Sequence, residues 1–239
     1  MTSPAFTLVL FDIDGTLLSS AQAGRRAIQA AFASEYPSTE FFELVRFDGK
    51  TDRQIVRELH VAAGSPERAS DDGTSALIER YLSHLHLELA ARAHLVAVCP
   101  GVHALLDALE AMPQVCIGLL TGNVERGARL KLGAAGIKFD RFRLGAYGSD
   151  SEHRPELPPV AVARATALLG HTPVGHDVVI IGDTPADVTC GIGIGARAVA
   201  VATGSYSVEE LHDAGAHAAF PTLESTDAVM EAILCSSSN

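Results

Sequence analysis

The chain has 239 residues, 47% of them hydrophobic, which suffices for one mid-sized core or a core carrying an insert. Its 18 basic and 29 acidic side chains give a formal charge of −11, which argues against nucleic-acid and anionic-membrane partners, since both select clustered Lys and Arg. Trp is absent and aromatics make up only 5%, so stacking platforms for bases are scarce. No uncharged apolar run reaches the ~18 residues a membrane span requires. Four cysteines (Cys99, Cys116, Cys190, Cys235) lack any CxxC spacing, and the expectation is a reduced, cytoplasmic chain.

In chain order, Phe6–Phe11 reads as a short buried strand ending at Asp12. It is too short for a span and lacks the basic lead of a signal peptide. From about Ser20 to Cys99 the pattern is helical, with no convincing strand. Ala27, Ile28, Ala31 and Phe32 mark one amphipathic helix. Thr51 and Gln54 have capping-box spacing ahead of Ile55, Val56 and Leu59, with Gly64 as the stop. Leu77, Ile78, Tyr81, Leu82 and Leu85 mark another helix. Cys99-Pro100-Gly101 punctuates the return to strand–helix alternation.

Beyond that point, strands are expected at Val115–Leu120, near Arg143–Tyr147, and at Val178–Ile181, Ala198–Ala202 and Ala218–Phe220. Helices are expected at Val102–Glu110, Val124–Ala135, Pro158–Leu169, Ala186–Ile194 and Ser225–Leu234, with a frayed tail at Ser236–Asn239. The strands are continuous apolar runs rather than alternating ones, which fits a parallel sheet covered on both faces. The expected class is α/β: a doubly wound, Rossmann-like parallel sheet built from residues 1–19 and 100–239, with an all-helical insert at 20–99.

Four constellations carry the chemistry. In Asp12-Ile-Asp14-Gly15-Thr16, residues two apart in extended chain point the same way, so two carboxylates meet at a strand end. Alone, such a string also ends strands or opens a calcium loop, but no further ligands follow at loop spacing. Thr121-Gly122-Asn123, between a strand and a helix, suits either an oxyanion cradle or a helix cap. Asp183 and Asp187 stand four apart over one side of a first helical turn. Added to Asp12 and Asp14, they make a hard-cation site the economical reading, because crowded carboxylates repel unless protonated or bound to an ion such as Mg²⁺. Arg154, in the polar loop 148–159, is the best candidate for a fixed cation facing an anionic ligand.

In this order, Asp12-Ile-Asp-Gly-Thr, Thr121-Gly-Asn, Arg154-Pro and Gly182-Asp-Thr-Pro-Ala-Asp187 resemble the four motifs of the haloacid dehalogenase-like (HAD) hydrolase superfamily, and the helical insert resembles its type 1 cap. The resemblance spans essentially the whole chain, although Arg154 stands where most members carry Lys. An acid at position 14 resembles the phosphatases and phosphomutases of the superfamily, and the chain as a whole most resembles its phosphoglycolate phosphatase-like members. The resemblance implies Asp12 as nucleophile and Asp14 as general acid and base, with a pKa expected to be raised by like-charged neighbours. It implies a metal site of Asp12, Asp14, Asp183 and Asp187, with Mg²⁺ held by Asp12, the Asp14 backbone carbonyl and Asp183 and with Asp187 orienting a metal water. Thr121, Gly122, Asn123 and Arg154 would bind the transferring phosphate, and Thr16 would hold Asp14. In the cap loop Phe47–Asp52, Lys50 is a candidate for a substrate anion and equally for a solvated side chain. The implied substrate is a small soluble phosphomonoester. The rivals are a β-phosphoglucomutase-like mutase and a non-catalytic phosphate-binding regulator. Oligomeric state is not legible. His84 and His86 face apart on a helix, so zinc ligation is not expected.

Overall fold

The computed structural model describes residues 6–234; Cys235 and the tail at 236–239 lie outside the described residues. Strands β1 (Thr7–Phe11), β4 (Val115–Thr121), β5 (Leu144–Tyr147), β6 (Val178–Gly182), β7 (Arg197–Val201) and β8 (Ala218–Phe220) form one sheet in the order β5-β4-β1-β6-β7-β8, every pairing parallel. The alternation along β1 explains the double covering. Val9 and Phe11 face a core closed by Leu105, Leu106 and Leu109 of α4 (Val102–Glu110) and by Val229 and Ile233 of α9 (Thr226–Leu234). Leu8 and Leu10 face the other side, against Leu157, Ala161 and Ala165 of α6 (Leu157–Leu169). Each such fully buried Val, Leu, Ile or Phe side chain contributes roughly 1.5–3 kcal/mol relative to exposure.

Register fixes where the site lies. Phe11 is level with Leu119 on one neighbour and with Ile181 on the other. The chain therefore leaves the sheet at Asp12, Thr121 and Asp183 along one carboxyl edge, and the Asp12 N–H still donates to the Ile181 carbonyl at 2.9 Å. Helices α5 (Glu125–Ala134) and α7 (Pro185–Cys190) start from that edge.

Between β1 and β4 the chain runs through α1 (Ala23–Ala33), α2 (Asp52–Ala62) and α3 (Asp71–Ala91). Their apolar faces close a separate core around Phe32, Phe42, Leu59, Leu77 and Tyr81. The Thr51 hydroxyl accepts from Gln54 N–H at 3.1 Å, the capping expected from sequence.

Two readings need correction. The stretch from Ser20 to Cys99 is not free of strand: β3 (Ala97–Val98) pairs antiparallel with β2 (Leu18–Ser19), a two-residue ladder too short to leave a periodic signature. The helix expected over Ala186–Ile194 stops at Cys190 and passes into a 3₁₀ turn at Ile192–Ile194. A further helix, α8 (Val208–Asp213), starts at a Ser207/Glu210 capping box that the sequence reading did not take up.

Gly101 joins the helical stretch to the sheet. Its φ is +85°, and a Cβ there would stand 2.0 Å from the backbone carbon of Leu223, which cannot give way as a side chain could. Gly101→Ala is expected to destabilise the chain by at least about 2 kcal/mol, read as a lower urea midpoint with an unchanged slope.

Candidate active site

Asp12, Asp183 and Asp187 each offer a carboxylate oxygen, and these atoms lie within 4.8 Å of one another with all three residues buried. Backbone closes tightly around Asp183. A Cβ on Gly15, whose φ is +79°, would come within 2.3 Å of its carboxylate, and one on Gly204 within 1.8 Å. Thr16 donates to Asp183 Oδ1 at 3.1 Å. The hydroxyl expected to hold Asp14 thus holds Asp183 instead, because the turn at Gly15 carries Thr16 toward β6.

Asp187 is fixed twice. Its carboxylate accepts from the Thr184 N–H at 3.1 Å and from the Thr184 hydroxyl at 2.6 Å, closing a capping box at the start of α7. Its other oxygen meets the Arg154 guanidinium, which also lies 3.2 Å from Asp12 Oδ1. Arg154 is buried, and its Nε has no hydrogen-bond partner. One guanidinium against three acids does not neutralise the cluster. Burial pushes the Asp12 carboxyl up to about 7, Arg154 pulls it down, and Asp187 and Asp14 add to the rise. Burial, with Asp187 and Asp12 adding, pushes Asp183 up to about 8. A close set of hard oxygen donors that resists ionisation unaided fits a small divalent cation.

Asp14 belongs to a different group. Its carboxylate accepts from Lys131 Nζ at 2.5 Å, Asn123 Nδ2 at 2.9 Å and Ser20 Oγ at 3.2 Å. Burial raises its pKa, but the Lys131 charge and these hydrogen bonds outweigh burial, and the net shift is downward. This corrects the expectation of a raised value: an ammonium in contact outweighs carboxylates farther off. Asn123 also donates from Nδ2 to Thr121 Oγ1 at 2.8 Å, and its backbone N–H donates to the same oxygen at 3.3 Å. Thr121, Gly122 and Asn123 line the same cavity as Asp12 and Arg154.

The carboxylates and hydroxyls converge at one sheet edge from the ends of β1, β4 and β6, and Arg154 joins them from the loop ahead of α6, so that the residues of the four motifs meet in one place. A model of the haloacid dehalogenase-like hydrolase family matches residues 9–201. The chain belongs to that family and is therefore an enzyme of a hydrolase family. It is 28% identical over 206 residues to phosphoglycolate phosphatase 1 of Pseudomonas aeruginosa, covering 82% of this chain and 70% of that protein. It is 29% identical over 219 residues to a phosphoglycolate phosphatase of Cereibacter sphaeroides, covering 89% and 92%. Among solved structures, a hydrolase from Pseudomonas syringae superposes with a TM-score of 0.72 at 20% identity, covering 95% of this chain and 98% of that one. A β-phosphoglucomutase from Clostridium difficile gives 0.70 at 17%, covering 95% and 97%. These structural likenesses carry the fold.

In this HAD-family chain the helical segment forms the far wall of the site. The cavity, of about 430 Å³, runs between the sheet edge and Arg25, Ile28, Phe47, Lys50 and Ile55. Lys50 lines it but is ion-paired with Glu58. Ala21 and Gln22 line it too, both in the left-handed region at φ 46° and 64°, which non-glycine residues adopt at a cost of roughly 1–3 kcal/mol. Arg26 fixes that turn by donating to the Ala21 carbonyl at 2.6 Å. The start of α2 is stitched to the sheet edge: Asp52 N–H donates to the Gly122 carbonyl at 2.8 Å, Val124 N–H to the Asp52 carboxylate at 2.9 Å, and Thr51 Oγ1 to the Glu152 carbonyl at 2.9 Å.

Lys131 and Asp52 were missed in the sequence. Lys131 falls on the buried stripe of α5 with Ala128 and Leu132, and a charge on an apolar helix face was the available signal. Asp52 follows its helix cap and looked like an ordinary first-turn acid.

Burial pushes Asp52 up to about 6, although Lys131 and the Val124 N–H pull it down. A carboxyl with a folded pKa above its unfolded 3.8 binds its proton more tightly in the folded state. Stability is therefore lost as pH rises from about 4 to about 6. Asp52→Asn retains an acceptor for Val124 without the charge. Its stability relative to wild type is expected to improve between pH 4 and pH 7.5, measured by urea denaturation at both.

Proposed function

We propose that this chain is a Mg²⁺-dependent phosphatase that hydrolyses a small soluble phosphomonoester through an aspartyl-phosphate on Asp12, in the manner of the phosphoglycolate phosphatase-like members of the family. The observation that carries this reading is the partition of the acids. Asp12 faces Asp183, Asp187 and Arg154, whereas Asp14, two residues on, faces Lys131, Asn123 and Ser20. A nucleophile and a proton carrier need such separate surroundings.

In the proposed reaction an Asp12 carboxylate oxygen bonds to phosphorus while the ester oxygen leaves, and Asp14 gives that oxygen a proton. The negative charge of an arriving phosphate pushes Asp14 toward the protonated form this step requires. Asp14 then takes a proton from the water that attacks the aspartyl-phosphate, and inorganic phosphate is released. The Thr121 hydroxyl, the Gly122 amide and Arg154 hold the phosphoryl oxygens. Asn123, already bonded to Thr121 and Asp14, keeps the two in register. Asp12, Asp183, Asp187 and the Asp14 carbonyl would hold Mg²⁺, which when bound offsets the repulsion between carboxylate and phosphate.

The helical segment at 20–99 serves in this reading as a cap that excludes water and reads the leaving group. Lys50 and Arg53 are already ion-paired with Glu58 and Asp71, which favours hydrolysis over a mutase that must seat a second phosphate. A non-catalytic phosphate binder would have no use for both Asp12 and Asp14. Among the described residues Cys99, Cys116 and Cys190 are free and buried, which supports a reducing, cytoplasmic setting, and no helix is long and apolar enough to cross a membrane.

The test is a phosphomonoester panel that includes phosphoglycolate, with Mg²⁺ and no bisphosphate activator. Phosphate release is expected, and Asp12→Asn should abolish it. Near-wild-type turnover by that variant refutes the nucleophile, and turnover that requires a bisphosphate supports the mutase. Treatment with a chelator should also abolish release, and added Mg²⁺ should restore it; activity that survives full chelation refutes the metal requirement.

A further inference from the structure

The mechanism above leaves one buried cation unused. Lys131 is 4% exposed, on the inward face of α5, and its ammonium has two hydrogen-bond partners: Asp14 Oδ2 at 2.5 Å and Asn123 Oδ1 at 2.6 Å. Both partners belong to the proposed site and neither to the apolar core. The helical segment covers this ammonium. A Cβ on Gly24 of α1 would stand 3.3 Å from Lys131 Nζ, and Asp52 of α2 feels its charge.

A buried ammonium is expensive to desolvate, and well-packed apolar residues in place of a buried ion pair are often neutral or stabilising. The fold alone therefore gives little reason for a cation here. The geometry supplies one. Asp14 Oδ1 is held by Ser20 and Oδ2 by both Asn123 and Lys131, so the carboxylate cannot rotate while all three are in place. Lys131 is the charged member of the three, and it also orients the Asn123 amide that donates to Asp14 and Thr121.

We propose that Lys131 is a positioning residue, which locks the Asp14 carboxylate and the Asn123 amide in the one orientation from which Asp14 can exchange a proton with the leaving oxygen and then with water. The proposal rests on the phosphatase reading. Lys131 itself need touch neither substrate nor phosphorus. Its removal should therefore slow turnover without weakening substrate binding.

The experiment compares Lys131→Met, Lys131→Ala and Asp14→Asn, singly and with Lys131→Met combined with Asp14→Asn, using the best phosphomonoester of the panel and Mg²⁺. For both Lys131 variants kcat is expected to fall about 100-fold or more while KM stays within about threefold. In the Asp14→Asn background, Lys131→Met should cost almost nothing further, since the group it positions is gone. Methylammonium should restore part of the kcat lost by Lys131→Ala, and tetramethylammonium at equal ionic strength should not. A kcat within threefold of wild type, losses that multiply in the double variant, or a loss confined to KM would each overturn the proposal. So would failure of both Lys131 variants to fold, which would assign the ammonium to the fold. A wild-type chain without phosphatase activity fails the reading of the previous section, whereas an active wild type with an undisturbed Lys131→Met fails this one alone.

Discussion

Like charge crowded at a sheet edge is the constraint from which the rest of the site follows. Three buried aspartates, Asp12, Asp183 and Asp187, meet where β1 and β6 end, in surroundings too dry to screen them, with the half-buried Asp14 beside them. Two buried cations answer them from different directions. Arg154 arrives from the loop ahead of α6 and takes Asp12 and Asp187, while Lys131 arrives from α5 and takes Asp14. The division leaves Asp12 and Asp183 difficult to ionise and Asp14 easy. The Asp12 and Asp14 carboxyls are thus tuned separately, and the proposed chemistry, which needs Asp12 ionised and Asp14 protonated, relies on a cation at the acidic cluster and on an arriving phosphate to reverse both.

The helical segment is part of the same balance. Asp52 brings a further carboxylate to Lys131 and anchors the start of α2 on the loop after β4. The Arg57–Glu152 ion pair and the Thr51–Glu152 bond fasten the same helix to the loop that carries Arg154. Displacement of α2 would therefore loosen both cation-bearing neighbourhoods together. The left-handed Ala21–Gln22 turn lies at the other approach to the cavity and is held by Arg26, which is itself paired with Glu88 of α3.

Much of this was legible in the sequence, for physical reasons that differ residue by residue. Apolar runs such as Val115–Leu120 and Val178–Ile181 admit few structures besides a doubly covered strand, and they stand where expected. Asp12, Thr121, Arg154, Asp183 and Asp187 lie in short strings with fixed local spacing, and the structure brings their side chains to one cavity or its wall. Partners that depend on the third dimension were not legible. Thr16 binds Asp183 rather than its near neighbour Asp14, and nothing within a five-residue string can reveal that. Lys131 resembles any helical lysine until its helix face is found to be buried. The sign of the Asp14 shift depends on Lys131 together with the Asn123 and Ser20 hydrogen bonds, contacts that only the folded chain brings together.

The position of β1, between β4 and β6, has a consequence for how the chain is made. Its two neighbours come from far downstream; Thr16 waits for a partner 167 positions along. A polypeptide emerging from the ribosome has nothing to set beside the aspartate-bearing strand until β4 is made, and cannot flank it on both sides until synthesis has passed β6. Asp12 can thus meet Asp183 and Asp187 only once β6 and the turn after it are made, so the acidic cluster is among the last parts of the fold to assemble.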